Sequence, residues 1–375
     1  MISILLEDKS IENFEKALLQ LQESSKSIII LSCSDNHFSK ELLDPSLKAC
    51  KLPLIGGIFP SIVYKNKLYD EGTILLGLNT PFKTTCIHDI SESKDYDDII
   101  EQKLGILDEK IHTMFLFFDG ISNHIDTIVQ SLFNNYGLSI NYFGGSSGIK
   151  DFLPEPVIFS NEGLLEDAAI FATTTAESTI GVKHGWEPLT HEVLQVTKAK
   201  DNVIYEIDYK SAFSVFKEFI ESNSDTRFSD DFSKDSFFNV AKSYPLGITR
   251  LSGDAVVRVA NQTDGETLTC TGDVLGNSYI QILHTSSSQQ LIDAAQNASK
   301  LSQNNNYQNS FKFYIGCLAR WLVLNEEFYK ELDAVYEEDE MLIGALSLGE
   351  IANNQDHYLE LYNSTAVVAK ISDDR

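Results

Sequence analysis

A mixed α/β fold, with α+β character in its mixed sheets covered by helices, is predicted for this 375-residue chain by three observations. Apolar runs rich in β-branched and aromatic residues, such as "SIIILSC" and "TMFLFFDG", alternate with stretches of helical period. Each pair of runs ends at a Gly-Gly and a hairpin-like segment, giving a strand-helix-strand-hairpin unit. That unit recurs along the chain, which implies duplication. With 43% hydrophobic and 10% aromatic residues the chain can bury sizeable cores, and its length suggests two or three domains.

Taken in order, Ser10 to Leu21 places Ile11, Phe14, Leu18 and Leu21 on one helical face behind a Ser10 cap. "SIIILSC" follows as a buried strand and "KELLDPSLKAC" as a short helix. "LPLIGGIFPSIVYKNKLYDEGTILLGL" supplies a strand, the Gly56-Gly57 break, a hairpin turning near Asn66 and a last strand from Thr73 to Leu78. The second copy runs from "TMFLFFDG" through a helix over Ile121 to Tyr136, the strand "LSINYF", Gly144-Gly145, and a hairpin turning at Asn161-Glu162-Gly163. A looser third copy has "FKFYIGCLAR", a helix from about Asn325 to Tyr336, and the strands "EMLIGALSLGEI" and "YLELYNSTAVVAKI".

Between the second and third copies lie strands turning at Asp201-Asn202, an amphipathic helix from Ser211 to Ile220, hairpin strands in "DAVVRVANQTDGETLTCTGDV", and a helix from Ser287 to Leu301. The polar run "ESNSDTRFSDDFSKDS" reads as a linker. A domain boundary near Ile204 is expected, giving domains of residues 1–204 and 205–375.

The net charge of -26 leaves no basic stripe for nucleic acid or anionic lipid. "MISILLEDKS" lacks a basic n-region, and no run has membrane-span length, so a cytoplasmic protein with no membrane partner is expected. Cys33, Cys50, Cys86, Cys270 and Cys317 show no CxxC spacing and read as reduced thiols.

"NYFGGSSG", Asn141 to Gly148, has neither the P-loop nor the GxGxxG pattern, and Pro154 and Pro156 leave no helix start after it. The paired glycines therefore read as a backbone reversal, with Ser146 and Ser147 as pocket candidates. "GGSSG" is not a GxSxG elbow either, and Cys317 reads as a buried thiol, so a hydrolase or thiol enzyme is disfavoured.

The order of "LIGG", "YFGGSSG", "GVKHGWEPL" with "VTKAKDNVIYEID", "YPLGI", "GCLAR" and "GEI" with "LYNSTAVV" resembles the FIST proteins, in which an N-terminal and a C-terminal FIST domain occur together. The resemblance covers nearly the whole chain. It implies a sensory protein of signal transduction that binds a small ligand, with amino acids among the ligands proposed for the family. No kinase, cyclase or F-box pattern occurs in the 375 residues, so output is expected through a partner histidine kinase or cyclic-di-GMP enzyme. A subset of the family resembles haem-based nitric oxide sensors. "GGIFPSIV" departs from the polar turn of many relatives, which weakens a ligand role for the first Gly-Gly.

Several residues suit a small polar ligand. Cys317 and Arg320 leave one buried strand together, Glu350 follows Gly349, and Asn363 and Thr365 stand two apart on the last strand, facing one side. Arginine offers a carboxylate a fork and glutamate receives an ammonium; the alternative is an internal Arg320 to Glu350 ion pair. Arg258, alone in "AVVRVA", is a further candidate. His184, beside Trp186, is the axial ligand if haem b is bound, ahead of His88 and His191. His37, His112, His124, His284 and His357 form no zinc-like spacing.

Overall fold

A computed structural model describes residues 1–229, 233–250, 254–353 and 358–373. His357 and residues 230–232 of the polar run lie outside them. Period-two alternation in the apolar runs sends alternate side chains to opposite faces, and both faces find a core. Phe115, Phe117, Phe313 and Ile315 enter a core shared by three sheets, while Met114, Leu116, Phe118 and Tyr314 turn to covering helices.

Unit one consists of β1 (Ile2–Leu6), α1 (Ile11–Ser24), β2 (Ser27–Cys33), α2 (Lys40–Ala49), β3 (Leu54–Phe59), the hairpin β4 (Ser61–Tyr64) and β5 (Lys67–Tyr69), and β6 (Thr73–Leu78). Unit two repeats it with β7 (Lys83–His88), α3 (Tyr96–Leu104), β8 (Thr113–Asp119), α4 (Ile125–Tyr136), β9 (Asn141–Ser147), the hairpin β10 (Ile158–Ser160) and β11 (Gly163–Leu165), and β12 (Ala168–Thr174). The Ser10 hydroxyl caps α1 by accepting from the Asn13 N–H at 3.3 Å, as its position before the apolar stripe requires.

Unit three opens with β13 (Ser178–Lys183) and is then interrupted by a domain of its own. That inserted domain holds β14 (Glu187–Pro188), β15 (Leu194–Lys200), β16 (Val203–Ile207), β17 (Lys210–Ser211), α5 (Ala212–Asn223), α6 (Lys234–Ala241), β18 (Leu246–Ile248), β19 (Val256–Arg258), β20 (Ala260–Thr263), β21 (Leu268–Cys270) and β22 (Tyr279–His284). Unit three then resumes with α7 (Ser288–Ser302), β23 (Ser310–Cys317), α8 (Leu318–Leu324), α9 (Phe328–Val335), β24 (Leu342–Ser347), the hairpin β25 (Glu350–Asn353) and β26 (Leu359–Tyr362), and β27 (Ala366–Ser372).

The three sheets share one strand order: first strand, last strand, the parallel central pair, then a hairpin. The hairpin always comes from another unit. β10 pairs with β3, β25 with β9, and β4 with β24, so the units exchange hairpins in a closed ring. This exchange ties the three sheets into one body, and Phe59, Phe117, Phe143 and Phe313 meet at its centre.

Several expectations need correction. The paired glycines reverse nothing: Gly56 and Gly57 lie inside β3, and Gly144 and Gly145 inside β9. A Cβ on Gly56, Gly144 or Gly344 would lie 1.8, 1.7 or 2.1 Å from the carbonyl oxygen of its register partner, Ile30, Leu116 or Tyr314. Glycine is there for close strand approach. The helix expected from Ile121 starts at Ile125, which frees a loop at the end of β8. The polar run is no interdomain linker, because Phe228 within it stacks on Phe237 and meets Phe213 and Phe216 edge to face in the inserted core. Ile204 falls inside β16, and in space the inserted sheet lies apart from the three sheets of the repeated units. In the third copy, "EMLIGALSLGEI" and "YLELYNSTAVVAKI" each break into two strands that go to different sheets.

Candidate functional site

Parallel strand pairs open a crevice at their carboxyl ends, where the chains leaving them diverge. In units two and three these ends carry Asp119 with Ser147 and Cys317 with Ser347. The inserted domain leans over them and is tied down by polar contacts. Arg258 on β19 donates from Nη2 to Asp126 at 2.9 Å and from Nη1 to the Leu361 carbonyl at 2.8 Å, and the Asp273 N–H donates to Asp126 at 2.9 Å.

Two adjoining chambers lie under this roof. The inner one, about 60 Å³, is walled by Val259, Leu318, Leu322 and Phe238, with Cys317, Ser347 and Asn363 among its polar lining. That volume exceeds the roughly 10–15 Å³ one water needs. The outer one, about 440 Å³, is lined by the 120–124 loop, the start of α4, Ser146, Asp201, Asn202 and Asp273. Phe152, Asn261, Thr271 and Leu348 line both.

Three polar atoms of this lining are buried without a hydrogen-bond partner: Asn363 Oδ1, Asn261 Oδ1 and Ser146 Oγ. Asn363 is 1% exposed and Ser146 2%. An unpaired buried polar atom typically costs about 1–3 kcal/mol, a penalty a ligand atom would remove. The Ser147 hydroxyl is also unpartnered, but it sits over Gly57, where a Cβ would lie 1.9 Å from it, and lines neither chamber.

Glu350 lies behind the inner chamber. Ser347 Oγ donates to it at 2.9 Å and the Thr365 N–H at 3.1 Å, while the Thr365 hydroxyl donates to the Asn363 carbonyl at 2.8 Å. Burial raises the carboxyl from 4.5 to about 8, against the opposing pull of Ser347, Thr365, Cys317 and the Arg320 charge. Burial likewise pushes the Cys317 thiol well up, with the Glu350 charge adding to it.

A group whose folded pKa is raised stabilises the fold fully below its unfolded value and loses that contribution as pH rises through the folded one. The melting temperature of wild type is therefore expected to fall relative to Glu350→Gln between about pH 4.5 and 8. Parallel melting profiles for the two proteins over that range would disprove the assignment.

The structure brings Cys317, Glu350, Asn363 and Thr365 together but directs Arg320 elsewhere. The fully buried guanidinium meets Glu331 at 2.8 Å through Nε, donates to the His184 carbonyl at 2.6 Å through Nη1, and reaches the Leu291 carbonyl through Nη2. Its ion-pair partner is Glu331 on α9 and not Glu350.

Residues 27–210 match the FIST N domain and residues 212–353 the FIST C domain. The chain belongs to the FIST family. FIST domains are sensory domains of signal transduction. A relative, an uncharacterized protein of Methanocaldococcus jannaschii, is 24% identical in an alignment of 313 residues that covers 77% of this chain and 57% of that protein. The chain thus spans a little over half of the relative's length.

In this FIST chain His184, the residue that haem b would need as its axial ligand, is already engaged by the protein. The Nδ1 of His184 accepts the Trp186 N–H at 2.9 Å, its carbonyl is held by Arg320, and it lines neither chamber. Gly185 beside it packs on α7 so closely that a Cβ would lie 2.6 Å from that of Ala294. Burial lowers the imidazole to about 4, with Asp254 opposing. These surroundings do not fit a porphyrin face.

The equivalent strand ends of FIST unit one are occupied differently. Phe59 stands in the register position of Ser147 and Ser347, and Lys150 bridges Asp35 at 2.9 Å and Asp70 at 3.2 Å above it. Reasoning from sequence missed Asn261, Leu322, Leu348 and the 120–124 loop. Only the loop carried a signal, as a polar stretch "DGISNHID" after a buried strand.

Proposed function

We propose that this chain is a cytoplasmic sensory protein that binds one small metabolite in the joined chambers and signals through a partner histidine kinase or cyclic-di-GMP enzyme. The observation that carries the reading is the pair of buried, unpartnered groups, Asn363 Oδ1 and Ser146 Oγ, each in the wall of one chamber. A ligand filling both would bridge units two and three to the inserted domain, and its loss would loosen that contact. Such a change can be read by a partner protein. Binding is favoured over turnover, because Cys317 is held protonated and the Ser146 and Ser147 hydroxyls have no base beside them. No helix among the described residues is long and apolar enough to cross a membrane.

The test is a thermal-shift screen of metabolites on wild type and Leu322→Trp, which fills the inner chamber. A ligand specific to the folded state stabilises it by about 2.7 kcal/mol at a hundredfold excess over Kd. The stabilisation should vanish in Leu322→Trp with the protein still folded. A ligand that stabilises both proteins equally binds elsewhere and refutes the site.

A further inference from the structure

The charges around the chambers narrow the ligand class further. Among the described residues no Lys or Arg lines either chamber, whereas Asp126, Asp201 and Asp273 line the outer one. Neither Asp201 nor Asp273 forms a salt bridge among the described residues. Both buried arginines nearby already have partners on every guanidinium nitrogen: Arg258 donates to Asp126 and to the carbonyls of Asp273, Val257 and Leu361, and Arg320 to Glu331 and backbone carbonyls. The α4 N-terminus could attract an anion, but Asp126 already occupies its first turn.

The inner chamber points the same way. It carries no charged side chain, has apolar walls, and leaves the amide oxygens of Asn363 and Asn261 as unsatisfied acceptors. The mean field of a chain with net charge -26 enriches cations over anions near the cleft.

Resting on the ligand-binding reading above, we infer that the ligand is a small organic amine, with its apolar body in the inner chamber and its ammonium among Asp201, Asp273 and the Ser146 hydroxyl. A carboxylate added to such a ligand finds no Lys or Arg among the described residues that line the chambers, and meets Asp201 and Asp273 instead. The site therefore selects an amine over the amino acid from which decarboxylation would produce it.

Matched pairs test this directly: tyramine with tyrosine, isoamylamine with leucine, and cadaverine with lysine, titrated calorimetrically into wild type, Asp273→Asn and Leu322→Trp. At least one amine is expected to bind wild type at least tenfold more tightly than its parent amino acid. Its affinity should fall about tenfold in Asp273→Asn and be lost in Leu322→Trp. An amino acid or simple carboxylate that binds as tightly as the amine, and is lost in Leu322→Trp, overturns the amine class and leaves the binding site standing. Failure of every amine to bind also overturns the class; the metabolite screen then decides the site independently.

Discussion

Gly144→Ala is expected to yield no stably folded protein. The added methyl would lie 1.7 Å from the Leu116 carbonyl oxygen and 2.6 Å from its carbon, and both belong to the backbone of the central parallel strand. Flexible side chains can move aside, but β8 cannot, since it is paired with β12 on its other edge. Overpacking a core typically costs about 1–3 kcal/mol, and a clash with a central strand lies beyond that range. Gly137→Ala is the control: its φ of 56° penalises alanine, but a Cβ would meet nothing within 4 Å. Urea denaturation should show a loss of about 1–3 kcal/mol for Gly137→Ala and no cooperative transition for Gly144→Ala. A Gly144→Ala protein as stable as the control would refute the close-approach account, and with it the equivalence to Gly56 and Gly344.

Glu331→Ala should destabilise the fold by about 3–5 kcal/mol, because it leaves the Arg320 guanidinium buried without its counter-ion. Both side chains are fully buried, and the carboxylate also receives the Tyr314 hydroxyl at 2.6 Å. The pair joins β23, the start of α8 and α9, and through the His184 and Leu291 carbonyls it anchors β13's exit and α7. Arg320→Met combined with Glu331→Leu should recover only part of the loss: it removes the unpaired charge, but the Tyr314 hydroxyl and the His184 and Leu291 carbonyls lose their partners. Equilibrium denaturation of the single and double variants checks both claims. A Glu331→Ala protein within about 1 kcal/mol of wild type would contradict the ion-pair assignment.

Much of the fold was legible along the chain. β2 occupies the run "SIIILSC", α1 begins after its serine cap, the hairpins turn at Asn66 and at Asn161-Glu162, and α5 follows Ser211. Each is signalled by periodicity or by a cap within a few residues. The edge strands β1 and β7 carried weaker signals, because half-exposed strands lack a continuous apolar run. The candidate site was legible in part: Cys317, Asn363 and Ser146 line the chambers, while Asn261 and Leu322 gave no sign of doing so.

By itself the sequence determined the element types, their triplicate order, the acidic surface and the family, because these depend on short-range pattern and composition. Tertiary structure decided the rest. Which sheet a hairpin joins, why Gly144 must be glycine, that Glu331 and not Glu350 answers Arg320, and that no Lys or Arg among the described residues lines the ligand chambers all depend on contacts between segments that only the crossing of elements brings together. A buried charge takes the partner whose element packs nearest, and nearness in space between α8, α9 and the exchanged hairpin β25 is not written in any local spacing of residues.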